Sequence, residues 1–260
     1  MKVTVCQLHN DGERLAADWE GLVAHVREQG SELVVLPEMG LSPWLAATNK
    51  VNQAAWLAGV VAHEAWLGEE NGRLSTLTSA IVLGSQPTVV NGKNQNQGFV
   101  WEAETGLCTI HTKYYLPNEG GFWEATWYER SVEKRFEPFV AGGVMMGMML
   151  CTDMWFTEHA RAYGRAGVDL LVCPRATPIE TVDKWIAGGR TAAVVSGAFC
   201  LSSNHAGSYP GVNMAGAGWI IDPDGKVLGL TSEERPFLTL DIDLNHAKQA
   251  KNSYPRYVLE

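Results

Sequence analysis

The chain has no apolar run fit to cross a bilayer: its longest, GGVMMGMMLC and TAAVVSGAFCLSS, are too short or too broken by glycine and serine. It has no excess of basic residues either. Lys and Arg number 20 against 29 Asp and Glu, a formal net charge of -9, which leaves no electrostatic footprint for nucleic acid or anionic lipid. Its five cysteines, at positions 6, 108, 151, 173 and 200, are odd in number and lack CxxC or zinc-finger spacing, so a disulfide framework is not expected. No pair among its seven histidines has ligand spacing with a third ligand nearby, so neither a metal nor a cofactor is expected. Read from Met1, MKVTVCQLHN shows no basic stretch followed by an apolar one and a small-residue cleavage site, and a soluble cytoplasmic protein is the expectation. No linker, repeat or low-complexity segment divides residues 1–260, which are expected to form a single domain.

What is present is core material. With 46% hydrophobic and 19% charged residues, 260 positions can bury a large interior. Short β-branched runs alternate with helix-period stretches: VTVCQL, a helix over 13–29, ELVVLPE, a helix over 51–70, SAIVLGSQ. QGFVWEA and LCTIHTK flank ETG as a hairpin, and GVMMGMMLC, TEHARAYGRAG and VDLLVCPRAT form a strand-helix-strand unit. A helix over 180–196 follows, then AFCLSSNH, GAGWIIDP, KVLGLTS and PFLTLDID as strands, with PDG as a turn. Helix-separated strands argue for an α/β fold, but the hairpins mix in antiparallel pairing. Two mixed sheets packed face to face with helices outside, a four-layer α-β-β-α sandwich, absorbs both features. Cys6, Cys108, Cys173 and Cys200 lie in strand-like runs and read as small core hydrophobes.

Three strand ends carry chemistry. In LVVLPEMGLSPW an apolar strand delivers Glu38, in LCTIHTKYYLPNEGGFWE an alternating strand delivers Lys113, and in GMMLCTDMWF a buried strand delivers Cys151. Singly, each reads more readily as a cap, a solvated lysine or a core sulfur. Together they supply a general base, a fixed cation and a nucleophile in the crevice beyond the carboxyl ends of strands. A Cys/His dyad using His9, His111 or His205 competes with this reading. His111 shares a face with Lys113 by period two, and a neutral, hydrogen-bonded histidine suits that place better than a charged one.

LVVLPEMGLSPW, HTKYYLPNEGGFWE and MMLCTDMWFTEHAR, in that order and spacing, resemble the three catalytic segments of the nitrilase superfamily, the carbon-nitrogen hydrolases. LSSNHAG and GWIIDPDG are similar to its later core strands, so the resemblance covers nearly the whole chain. It implies Glu38 as general base, Cys151 as nucleophile and Lys113 as stabiliser of the tetrahedral intermediate, with the oxyanion between Lys113 and the Thr152 N–H. Glu119 resembles the family's second glutamate, with Glu124 a rival, since the spacing after the lysine varies. Trp44, Phe122, Trp123 and Trp155 lie close to these residues in sequence and are expected to divide between pocket wall and core. Arg175 and His205 depart from the family pattern. Arg175 either grips a substrate carboxylate or pairs with Asp153 or Glu119 as scaffolding. The resemblance implies hydrolysis of a small amide or N-carbamoyl amide, and a homodimer. A nitrilase is the alternative, although nitrilases commonly show Trp-Glu where this chain has Thr152-Asp153. A scaffold retaining the fold without turnover is the other alternative.

Overall fold

A computed structural model describes residues 1–68, 72–77, 80–209 and 211–258. Strand β1 (Lys2–Leu8), helix α1 (Gly12–Gln29) and strand β2 (Leu33–Val35) open the chain, and α2 (Gln53–Leu67) leads into β3 (Ile81–Val90), β4 (Lys93–Glu102) and β5 (Gly106–Thr112). A short helix α3 (Glu124–Trp127) precedes β6 (Phe139–Ala141), β7 (Val144–Met148), α4 (Thr157–Arg165), β8 (Leu170–Val172) and α5 (Val182–Ser196). The remainder is β9 (Phe199–Ser202), β10 (Asn204–Tyr209), β11 (Val212–Ala215), β12 (Trp219–Ile221), β13 (Val227–Leu230), β14 (Phe237–Asp241) and α6 (Leu244–Ala250).

The strands form two mixed sheets. One runs β11-β10-β1-β2-β3-β4-β5 with β14 also paired to β1, and the other runs β13-β12-β9-β8-β7-β6. Period-two alternation assigns each face. Leu33 and Val35 point into a core shared with Leu170 and Val172 of the second sheet, whereas Val34 packs outward with Leu15, Trp19 and Leu22 of α1. On the other side Leu171 and Cys173 face Trp185 and Ala192 of α5. Helices therefore cover the outer face of each sheet, and the order is the expected α-β-β-α. Helix α1 shows the local logic: the Asp11 side chain accepts the Arg14 N–H, Leu15, Trp19, Leu22 and Val26 form one buried stripe, and Gly30 at φ 64° closes the end.

Three expectations change. AFCLSSNH is not one strand: β9 pairs with β8 in the second sheet, and β10 pairs with β1 in the first. Ser203 makes the crossing possible, donating to the Val35 carbonyl at 2.6 Å and accepting the Cys6 N–H at 2.9 Å. Helix α2 ends at Leu67, and the expected end at Glu70 lies outside the described residues. Cys108, expected in the core, is exposed on the edge strand β5, while the other four cysteines are buried; all five are free. No helix among the described residues is long and apolar enough to cross a membrane.

Candidate active site

The carboxyl ends of β2, β5 and β7 converge. Beyond β2 the chain leaves its sheet, and the Glu38 N–H reaches the Arg175 carbonyl of the segment after β8 at 3.3 Å. Met39 follows at φ 44°, a left-handed conformation held by its N–H on Ser85 Oγ at 3.0 Å. Beyond β7, Cys151 itself adopts φ 47°, its N–H bonded to the Pro174 carbonyl at 3.0 Å. Non-glycine residues in this region are strained, and here the strain turns the chain sharply from strand into the single 3-10 turn Cys151–Trp155. Segment 174–176 thus clamps both the Glu38 and the Cys151 backbones.

Lys113, just past β5, is fully buried with its N–H on the Asn96 carbonyl at 3.0 Å. Its ammonium donates to Glu38 Oε1 at 2.7 Å and to Glu124 Oε2 at 2.5 Å. Asn96 Nδ2 donates to the same Glu38 oxygen at 2.8 Å, and the Tyr128 hydroxyl donates to Glu124 Oε2. Glu38 Oε2 and Glu124 Oε1 are buried with no hydrogen-bond partner among the described residues. The lysine's second carboxylate is therefore Glu124. Glu119, expected in that position, is exposed at the rim of the cavity instead. The turn from Glu119 to Phe122, which exchange backbone hydrogen bonds at 3.2 and 2.9 Å, brings α3 and Glu124 back over the lysine.

Burial opposes the charge on Lys113, but the Glu124 and Glu38 carboxylates overcome it and hold the ammonium well above its usual range. Burial raises the Glu124 carboxyl to about 7, against the pull of Lys113. The Cys151 thiol is pushed well up, first by burial and then by the Glu38 carboxylate, with Lys113 acting in opposition. The resting group is a thiol beside a carboxylate, so attack requires a base rather than a preformed thiolate.

Cys151 opens on a cavity of about 230 Å³ lined by Pro117, Glu119, Phe122, Glu124, Thr152, Trp155, Ala176, Thr177, Pro178, Thr181 and Trp185. Of the residues the sequence singled out for a pocket, Thr152, Phe122 and Trp155 line this cavity. Trp44 and Trp123 do not line it. The Trp44 indole donates to the Gly121 carbonyl at 2.8 Å and supports Phe122 from behind at a ring separation of 5.8 Å. Trp123 packs in the same cluster, its N–H on the Ala46 carbonyl at 2.8 Å.

Arg175 is buried and reaches neither the cavity nor Asp153 or Glu119. Its guanidinium donates to Ser202 Oγ at 2.7 Å, Thr177 Oγ1 at 2.8 Å and the Ala217 carbonyl at 2.9 Å, and lies 3.7 Å from the centre of the Trp219 ring. It is scaffolding, by partners other than those expected. The histidines are likewise committed: His9 to Asp18 at 2.9 Å, His111 to Asp153 at 2.8 Å, and His205 to the Glu38 carbonyl and to Asn10 Nδ2. The Cys151 thiol contacts the Ala176 carbonyl at 3.8 Å, and the Cys/His dyad finds no support in these contacts. Asp153 has a part the sequence did not reveal. Its carboxylate accepts the N–H groups of Tyr114, Tyr115 and Leu150 as well as His111, tying the end of the lysine strand to the cysteine turn. Asn96, Tyr128 and Trp185 were also missed. Among the described residues, no group of three or more His, Cys, Asp or Glu could hold a metal ion.

Residues 2–252 match the family described as Carbon-nitrogen hydrolase. The chain is 29% identical over 245 residues to the omega-amidase NIT2 of Mus musculus, covering 90% of this chain and 84% of that protein. It is 25% identical over 179 residues to "Hydrolase in agr operon" of Staphylococcus aureus, covering 67% of this chain and 66%, just under two thirds, of the relative's length. The fold is similar to that of a carbon-nitrogen hydrolase from Helicobacter pylori, at a TM-score of 0.85 and 20% identity over 98% of this chain and 94% of the other.

Proposed function

We propose, from the premise that this chain belongs to the carbon-nitrogen hydrolase family, that it hydrolyses the C–N bond of a small amide or N-carbamoyl amide through a Cys151 thioester. One observation carries the reading: Lys113 ties up one oxygen of Glu38 and leaves Oε2 without a partner among the described residues, in a buried site that also holds the Cys151 thiol. The printed name of the mouse relative, an omega-amidase, supports the same bond type.

Glu38 accepts the thiol proton as Cys151 Sγ bonds to the amide carbon and the carbonyl π electrons move onto oxygen. The oxyanion is met by the Lys113 ammonium and by the Thr152 N–H, which lies in the first turn of the 3-10 segment among donors that such a turn cannot satisfy internally. Collapse breaks the C–N bond, and Glu38 returns its proton to the leaving nitrogen, giving ammonia or an amine and a thioester. A water molecule then gives a proton to Glu38 and its hydroxyl to the thioester carbon, and the thiol is regenerated. Glu124, hydrogen-bonded by Tyr128, holds the ammonium in place through both halves. Restricted volume confines the acyl portion to a small group. The homodimer is part of the same proposal, and sedimentation equilibrium reads it directly.

The test is ammonia release from a panel of short amides, N-carbamoyl amines and nitriles, with Cys151→Ala beside the wild type. Release from amides or carbamoyl compounds that disappears in the variant supports the proposal. Turnover of nitriles alone makes the protein a nitrilase, and no turnover together with a Cys151 inert to iodoacetamide makes it a scaffold.

A further inference from the structure

The cavity walls bear on the end of the substrate that is not cut. Two of the side chains lining it are carboxylates, Glu119 and Glu124, and none is Lys, Arg or His. The ammonium of Lys113 is taken up by Glu38 and Glu124. Arg175, one strand end away, is turned to Ser202, Thr177 and the Ala217 carbonyl behind the wall. Glu124 is committed to Lys113 and Tyr128, whereas the Glu119 carboxylate has no hydrogen bond or ion pair among the described residues. Its backbone is nevertheless fixed. Gly121 closes the turn at φ 82°, and a Cβ there would come within 2.3 Å of a Val212 methyl. Two more lining residues, Trp155 and Trp185, set their rings 5.0 Å apart, with Trp155 43% exposed.

Resting on the amide-hydrolase reading, we infer that the substrate carries a positive charge at its far end: a short ω-amino amide or carbamoyl amine rather than an ω-amido acid. Indole faces attract alkylammonium groups, and the carboxylate at the mouth adds to that attraction. A substrate carboxylate would meet a cavity whose uncommitted charge is of its own sign. A neighbouring cavity of about 540 Å³ shares Pro117 and Thr152 and contains Arg130, where an anionic tail would find a cation.

The test uses the full chain and three primary amides of matched length, δ-aminovaleramide, hexanamide and adipamic acid, read as kcat/KM for ammonia release. The expected order is ammonium over methyl over carboxylate, with the first exceeding the last about tenfold or more. In Glu119→Gln the ammonium-over-methyl ratio falls about three- to fivefold. In Glu119→Lys the preference between ammonium and carboxylate reverses. Cysteine-dependent release that favours hexanamide or adipamic acid overturns this inference and leaves the amide-hydrolase reading standing. Loss of adipamic acid turnover in Arg130→Ala would then place the tail in the neighbouring cavity. Release that survives Cys151→Ala overturns both, as does the absence of release from these three together with the short amides and N-carbamoyl amines of the wider panel.

Discussion

Lys113 Nζ stands 2.7 Å from Glu38 Oε1, while Oε2 of the same carboxylate is buried without a partner among the described residues. In the proposed mechanism one carboxylate thereby does two jobs: one oxygen anchors the cation, and the other takes a proton. In Glu38→Gln the amide still fills the anchoring role, but the basic lone pair is lost. That variant should keep its fold and lose kcat by about a thousandfold, within the range seen when a general base is removed. Stopped-time ammonia assays with a thermal melt alongside check it; a loss of less than tenfold would show that Glu38 is not the base.

In the proposed mechanism Glu124 sets the acid limb of the activity. Burial raises its carboxyl to about 7, against Lys113. Below that pH it is protonated, and Lys113 is left with one carboxylate and is held less firmly over the oxyanion. The proposed mechanism therefore predicts that kcat/KM rises from about pH 6 to about pH 8. Glu124→Gln should be slower by about a hundredfold and should flatten that rise. A wild-type profile level across this span would contradict the role given to Glu124.

His63 and His205 set the acid stability. Both are fully buried, and burial lowers each from 6.5 to about 4. The unfolded chain binds these protons as pH falls below 6.5, and the folded chain does not until about 4, so folding loses stability across that window. At about 1.4 kcal/mol per pH unit the loss comes to roughly 3 kcal/mol for each imidazole. Urea midpoints measured at steps of pH read the slope, and His205→Asn should make it shallower. An equal slope in that variant would refute the assignment.

Arg175 is predicted to matter for stability rather than for substrate charge. Its three hydrogen bonds and its stacking on Trp219 are lost in Arg175→Met, at a cost of about 2–4 kcal/mol. Arg175→Lys recovers only part, because an ammonium lacks the planar fork. Denaturant titration gives the size of the loss, and a selective rise in KM for anionic amides in either variant would show that the guanidinium reaches the substrate after all.

Strand ends were the legible part of this chain. LVVLPE, LCTIHTK and GMMLC each run an apolar or alternating strand directly into a polar residue, and the strand geometry alone carries Glu38, Lys113 and Cys151 to one crevice. Glu124 was ambiguous because eleven positions of loop separate it from Lys113. Sequence distance along a loop does not say how it turns, and the Glu119–Phe122 turn decides the matter. For Arg175 the scaffolding option holds but its partners were not legible, although parity pointed to them: it shares the outward face with Cys173, which packs toward α5, and so its side chain belongs with Trp185 and Trp219. Asn96 lies within the polar run NQNQ of β4, where burial of the adjacent Gln95 and Asn96 breaks the strand's alternation and could be seen only once the lysine strand was paired beside it. The crossing of the chain between sheets at Ser203 was hidden because every residue from Phe199 to Ala206 is buried and neither glycine nor proline marks the break.

The most direct measurement is the mass of the enzyme caught during turnover. Wild-type protein mixed with a substrate amide, quenched in acid within milliseconds and digested, should show the peptide containing Cys151 heavier by one acyl group, and the adduct should be released by hydroxylamine. Glu38→Gln should carry far less adduct and Cys151→Ala none. Steady turnover with no acyl group on Cys151, or an undiminished rate in Cys151→Ala, would contradict the mechanism.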